Sequence, residues 1–421
     1  MLSDSSERLT AAGSGFGRAM ELLLVAVFAA LPPVLTFARV SPPLFLAVAV
    51  VAAFGLGWAY CGWAMFSDFA RRLRSPVLWV SLCCIALMFL SVNWTPEAVQ
   101  TRGLNSSSGA LFCVVASGIL WISTGALPEA VSTRIVRRIG TALLFALPVT
   151  AILIFIQYHT GGALNAAIGA DPDNYILNRS AVAIAIFIPF AALAAPQRQW
   201  LKLLLLAACA VATFQTESSS AQLGVLLIAI LLVPALIWPK LTYRAVVAGI
   251  LLTFLFMPLI VSHVNSMIPQ AIHERVGYGS LTIRGLIWTE YANLLPNKLW
   301  LGYGMEASKV ADTLPEVASY PPERLKLLSL GHSHNASVQL WFELGLAGVV
   351  LFAIAMALAF LRIGRLKERD LTAATLTIAV IYGVSVVSHG AWQGWWLSLM
   401  ALAALPFMLK WRCSSVESAS R

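Results

Sequence analysis

The chain has 421 residues, 59% of them hydrophobic and 11% charged, with a formal net charge of +9 and a mean hydropathy of +0.81. A soluble domain covers its surface with about 25% charged residues, so this composition excludes a water-soluble globular enzyme and describes an integral membrane protein. The basic excess then reads as Lys and Arg in cytoplasmic loops and not as a nucleic-acid surface.

In chain order, about twelve apolar runs are long enough to span a bilayer, which needs about 20 residues per helix. They cover roughly 20–38, 43–66, 76–93, 108–127, 139–158, 180–196, 200–214, 221–238, 243–262, 338–361, 371–388 and 393–409. Nothing before the first run has the form of a cleavable signal peptide, so that run reads as an uncleaved anchor. Nineteen of the 28 basic residues fall in the N-terminal tail and in every second connection, from Arg8 and Arg18 to Lys410, Arg412 and Arg421. The positive-inside rule then places both termini in the cytoplasm. With that topology all six histidines, His159, His263, His273, His332, His334 and His389, fall in outward-facing loops or at outer helix ends. The six cysteines show no CxxC and no Cys/His metal spacing, so neither a disulfide framework nor a metal site is indicated.

Most connections are short. The outer loop after the fifth run ends in Asn178-Arg179, where the arginine is either a phosphate ligand or an interfacial anchor. The turn between the seventh and eighth runs, with Glu217 and Ser218-Ser219-Ser220, reads as a solvated turn. One connection is large, and it divides the chain into 1–262, a loop domain at 263–337, and 338–421. A loop this long is functional when it is ordered. Spacings of three and four predict a helix through Arg284, Trp288, Tyr291 and Leu295, capped by Ser280 or Thr282, and a second amphipathic helix over 322–330 that lies on the membrane or forms a lid.

The loop ends in GHSHNASVQLWFELGLAG, from Gly331 to Gly348. Histidine titrates near neutrality and suits proton transfer, so His334 is the candidate general base and His332 its support; interfacial histidines are the alternative, and a metal site would want ligands that do not cluster nearby. Asn335, Gln339 and Glu343 form a polar row running into the tenth run and are candidate substrate-binding residues; Glu343 reads as the one acid clearly inside a span, with a structural hydrogen bond to a neighbouring helix as its alternative. Gly345 and Gly348 read as close helix packing. Arg284 is either a cation for a phosphate leaving group or a partner of Glu290 or Glu274. Such an outward-facing His and Arg set beside lipid suits transfer from a lipid pyrophosphate.

The order Arg284-x-x-x-Trp288, Asn297-Lys298-Leu299-x-x-Gly302-x-Gly304, His332-x-His334-Asn335, Gln339 and Glu343-x-Gly345-x-x-Gly348 resembles the O-antigen ligase and Wzy-type polymerase superfamily of bacterial inner-membrane glycosyltransferases. The resemblance implies an all-α polytopic fold of the GT-C-like kind with one large periplasmic loop. It also implies a donor glycan on undecaprenyl pyrophosphate, an acceptor sugar on lipid A–core, and inverting transfer that needs no metal or other cofactor. His334 would be the base, and Arg284 and Arg179 would hold the pyrophosphate. One departure stands out: Ser218-Ser219-Ser220-Ala221-Gln222 lacks the arginine that the family often carries there, and Arg275 is the candidate substitute. Polymerisation of lipid-linked repeats is the nearest alternative activity. Transport would want several ionisable groups near mid-membrane.

Overall fold

The computed structural model describes residues 15–67, 73–267 and 281–410, and among them there are helices and no strands. The long helices follow the apolar runs closely. They are α1 (Gly15–Val34), α2 (Pro42–Cys61), α3 (Pro76–Ser91), α4 (Gln100–Ala126), α5 (Glu129–His159), α6 (Asn178–Ala194), α7 (Gln199–Phe214), α8 (Ser219–Ile237) and α9 (Pro239–Met267). The large connection contributes α10 (Leu281–Leu294) and α11 (Pro322–Leu328), and the chain continues with α12 (Ala336–Ile363), α13 (Glu368–Ser385) and α14 (Gly394–Lys410).

Among the described residues, nine helices are long and apolar enough to cross a membrane: α1 to α6, α8, α9 and α12. The chain is therefore a multi-pass membrane protein. The three remaining runs make weaker helices for evident reasons. Helices α7 and α14 have only 16 and 17 residues, and α13 opens on Glu368, Arg369 and Asp370. Helices α4 and α5 begin earlier than the apolar runs, because polar and basic first turns such as Arg134, Arg137 and Arg138 continue the same helix.

Helix α6 lies at the centre. Its sequence is apolar all round, which suits a helix surrounded by others, and every residue from Ser180 to Ala191 is buried. At its C-terminal end Lys202 Nζ donates to the carbonyls of Ala192 and Ala195, at 2.8 and 3.3 Å. Glu343 is not the only buried acid in a span. Glu21 of α1 is also buried, and Arg134 and Arg138 of α5 hold it at 3.1 and 2.8 Å. The Ser218 turn is less solvated than its composition suggests: Thr216, Ser218 and Ser220 are buried, and Ser218 caps α8 by accepting from the Ala221 N–H.

The large connection is packed against the bundle. Ile287, Tyr291 and Leu294 of α10 share a core with Met257 and Val261 of α9, Leu328 of α11, and Val338 and Phe342 of α12. Helix α11 is thus part of a folded unit, pinned by a two-pronged Arg324–Glu290 ion pair at 2.6 to 2.9 Å. The start of α10, with Ser280, lies outside the described residues, as do His273, Glu274 and Arg275.

Candidate functional site

The loop domain meets α12 at a helix break. Gly345 has φ +60° and ψ −164°, which interrupts the helix. The break frees two carbonyls, Phe342 and Glu343, and the two N–H groups that would have bonded to them, Leu346 and Ala347. The segment 299–304 supplies all four partners. Tyr303 and Gly304 N–H donate to the Phe342 and Glu343 carbonyls at 2.9 and 2.8 Å; Leu346 and Ala347 N–H donate to the Leu299 and Trp300 carbonyls at 2.8 and 3.1 Å. This requires backbone against backbone. A Cβ on Gly345 would lie 2.6 Å from Gly302 N and Trp300 C, and Gly302 itself sits at φ +66°. The Gly302-x-Gly304 and Gly345 motifs are therefore two halves of one junction. Packing between helices, the reading suggested by sequence for Gly345 and Gly348, is replaced here by a broken helix re-satisfied by a loop.

Glu343 closes the junction. It is fully buried and accepts four hydrogen bonds, from Ser308 Oγ (2.5 Å), Gln339 Nε2 (2.9 Å), Trp392 Nε1 (2.5 Å) and the Glu306 N–H (3.0 Å). Four donors fill the acceptor positions of its two oxygens. Gln339 is committed as well, its Oε1 accepting from the Ala391 N–H at 2.9 Å. Asn335 caps α12, accepting from the N–H groups of Ser337 and Val338 at 3.0 and 3.1 Å, as a helix N-cap should.

Just before this cap, the loop brings His332 and His334 into contact, with ring centroids 3.9 Å apart. His334 adopts φ +52°, in the left-handed region that non-glycine residues rarely occupy. Its Nδ1 lies 3.1 Å from the Ser388 carbonyl. A carbonyl only accepts, so Nδ1 carries the proton and Nε2 is left with a free lone pair. Burial disfavours the His334 cation, outweighing the Ser388 carbonyl, and Arg284 and Lys309 disfavour it further. The imidazole is held neutral.

The neighbours extend the pattern. His332 is pushed down to about 3 by burial, then by His334 and Lys309, and its Nδ1 is buried without a partner. His389, on the connection between α13 and α14, is also pushed down to about 3, by burial, then by Arg179, His332, His334 and Arg284. Its ring packs on Trp395 at 4.7 Å, and the Arg179 guanidinium lies over the same indole at 4.4 Å while donating to the Arg39 carbonyl at 2.7 Å. Burial lowers Arg284 from the ordinary arginine range. Glu290 is taken by Arg324, so it is not the partner of Arg284. Three histidines and three cations therefore gather where, among the described residues, no carboxylate acts on any of the three histidines.

The structure thus unites His332, His334, Arg284 and Arg179, while Asn335, expected to bind substrate, caps α12, and Gln339 and Glu343, expected to do the same, spend their hydrogen bonds on the backbone junction and its neighbours. Arg275 lies outside the described residues. Sequence reasoning missed Lys309 and left His389 unassigned. Lys309 stands in a short 3-10 helix, Ala307–Thr313, with no motif around it. His389 did carry a signal, since it begins the polar His389-Gly390 interruption between two apolar runs. His159 and His263 stay on their own helices, stacked on Phe155 at 4.3 Å and facing the Leu259 carbonyl at 2.9 Å. Among the described residues no three His, Cys, Asp or Glu side chains come together in a way that could hold a metal ion.

Residues 203–353, which hold Arg284, both loop histidines and the junction, match the family described as O-antigen ligase. Over these 151 residues the chain is similar to the O-antigen ligase family. Proteins of Rickettsia felis, Rickettsia bellii and Rickettsia prowazekii that bear the provisional name polysaccharide ligase are each 24% identical to it. The aligned parts cover 62%, 65% and 64% of this chain, and 65%, 68% and 67% of the three relatives. The chain thus spans about two thirds of their length, just under it for the first. Arg179 and His389 lie outside the matched family segment, so their place in the cluster comes from the fold alone.

Proposed function

We propose that this protein transfers a glycan from undecaprenyl pyrophosphate to a sugar hydroxyl of lipid A–core at the outer face of a bacterial inner membrane. Twelve spans in a GT-C-like arrangement, with both termini cytoplasmic, belong to the same reading. The observation that carries it is the gathering of three cations and three neutral histidines with no acid beside them among the described residues. Such a site favours an anion with a neutral base beside it, which is what displacement of a pyrophosphate needs.

In this mechanism His334 Nε2 takes the proton of the acceptor hydroxyl as its oxygen bonds to the anomeric carbon. The anomeric carbon–oxygen bond to the pyrophosphate breaks, and inversion follows from attack opposite the leaving group. The pyrophosphate departs with the electron pair, its charge held by Arg284 and Lys309, with Arg179 at the edge. Lys309 and Arg179 fill the role left open by the missing arginine of the Ser218 turn. His332 and His389 shape the pocket, and Asn335, Gln339 and Glu343 position the loop. The saturated hydrogen bonding of Glu343 speaks against a transport role for that carboxylate.

Deletion of the gene tests the reading through the products. Unsubstituted core together with accumulated lipid-linked polymer supports the ligase. Core bearing a single repeat would replace it with the polymerase. An unchanged lipopolysaccharide ladder would sink both.

A further inference from the structure

The bundle has a second feature, far from the histidines. Below the Trp392–Glu343 contact, a cavity of about 580 Å³ lies between α3, α4, α12, α13 and α14. Helix α12 faces it with Phe352, Ala355, Met356, Ala359 and Arg362, at the spacing of one helix side. Alanines such as Ala355, Ala359, Ala401 and Ala404 stand where larger residues would close the space. Protein interiors are close-packed, with few voids larger than a water molecule. This space holds about nineteen water-sized volumes at about 30 Å³ each. Apolar walls keep water out, so its natural filling is hydrocarbon.

One group fixes the kind of molecule. Among the described residues, Arg362 is the only charged side chain on the wall. It is half-buried, lies over the Trp121 ring at 4.9 Å, and donates through Nη2 to Ser75 Oγ at 2.7 Å. Arg365 is near enough to repel it, and no carboxylate pairs with it among the described residues. A guanidinium offers five donors in a planar fork that suits phosphate. Its charge and uncommitted donors call for an anion at the mouth of a hydrocarbon-lined space. This end of α12 is about 42 Å from the histidine end, from a 28-residue length at 1.5 Å per residue.

We propose that this cavity binds an anionic glycerophospholipid, its phosphate on Arg362 and one acyl chain running along α12 toward Trp392. At the chain's far end Trp392 packs on Phe352 at 5.8 Å and donates to Glu343. The lipid therefore props the residue that holds the helix break from below. This inference rests on the cavity and on Arg362, and it stands apart from the glycan-transfer reading.

The experiment uses the full chain purified in detergent, with retained lipid measured by native mass spectrometry and thermal midpoint followed as phosphatidylglycerol or phosphatidylcholine is added. We expect about one anionic phospholipid per chain and a larger rise in midpoint with phosphatidylglycerol. Arg362→Gln should weaken phosphatidylglycerol binding at least 10-fold and abolish the preference. Ala404→Trp, which fills the cavity, should remove retained lipid while the chain stays monodisperse. Equal retention in wild type and both variants overturns the proposal. Recovery of a polyprenyl phosphate in place of a glycerophospholipid, or no selectivity between the two added lipids, overturns it as well.

Discussion

Glu343 and His334 lie nine residues apart on one loop-to-helix segment and live in opposite polar environments. Every acceptor position of Glu343 is used, by four donors from two other segments and its own helix. Around His334 the polar groups are left incomplete: His332 Nδ1 has no partner, and among the described residues Arg284 and Lys309 press on the imidazoles without an acid to balance them. A saturated polar network rigidifies, whereas an unsatisfied one that persists in a fold is held there by its surroundings for a ligand. The first cluster has the saturated bonding of a scaffold and the second the open bonding of a ligand site, although both would read alike from sequence as polar residues near a membrane surface.

That contrast can be broken most severely at the junction. Gly345→Val must adopt a conformation open to glycine alone and collide with Gly302. It should fail to accumulate as a monodisperse species on size exclusion, whereas Gly118→Ala, which meets nothing within 4 Å, should behave as wild type. A well-folded Gly345→Val protein would show that the break is dispensable. Next in size, Glu343→Ala leaves four buried donors without an acceptor, at about 1–3 kcal/mol each. A loss of at least about 4 kcal/mol, read as a lower thermal midpoint, is expected; an unchanged midpoint refutes the scaffold role.

His334→Ala should do the reverse. Its thermal midpoint should fall far less than that of Glu343→Ala, since one hydrogen bond to the Ser388 carbonyl is lost and not four, while transfer falls by about 10²- to 10⁴-fold, the range for a general base. A normal long-chain lipopolysaccharide ladder in a deletion strain carrying the variant would remove His334 from the mechanism. Arg284→Ala should also abolish the ladder, and Arg284→Lys should restore it only in part, because lysine lacks the planar fork. Full activity of the alanine variant would contradict the phosphate role.

The smallest effect is on pH. Burial and two nearby cations favour neutral His334, so its protonation occurs below the ordinary value of 6.5. The acid limb of kcat/KM should therefore lie below pH 6.5, with a flat rate from there to pH 7.5. A limb centred above pH 7 excludes the assignment. Stability follows the same sign. His332 and His389 resist protonation down to about pH 3 while the unfolded chain takes up protons near 6.5. Stability is full above 6.5 and declines as the pH falls toward 3. His389→Gln should shrink that decline.

The helical class and almost every helix were legible in the sequence, because a bilayer demands long apolar runs and each run declares itself locally. The loop helix bearing Arg284 was legible for the same reason, since helical spacing is a short-range pattern, whereas Asn335 read as part of a polar row and its N-cap role appeared only in the fold. Three things were not. The partnership of Gly302 with Gly345 joins residues 43 positions apart through backbone atoms, which carry no residue signature. Lys309 and His389 come from separate elements, and no spacing along the chain links them to His334; Arg179 was a candidate through its loop position and the resemblance, not through any spacing. The roles of Gln339 and Glu343 depended on what stood opposite, and the same two side chains facing solvent would have read as ligands. By itself the sequence determined where the chain turns helical and which residues can do chemistry. Only the tertiary structure decided which of those residues are already satisfied by the protein, because hydrogen bonding and burial are properties of contacts between distant segments.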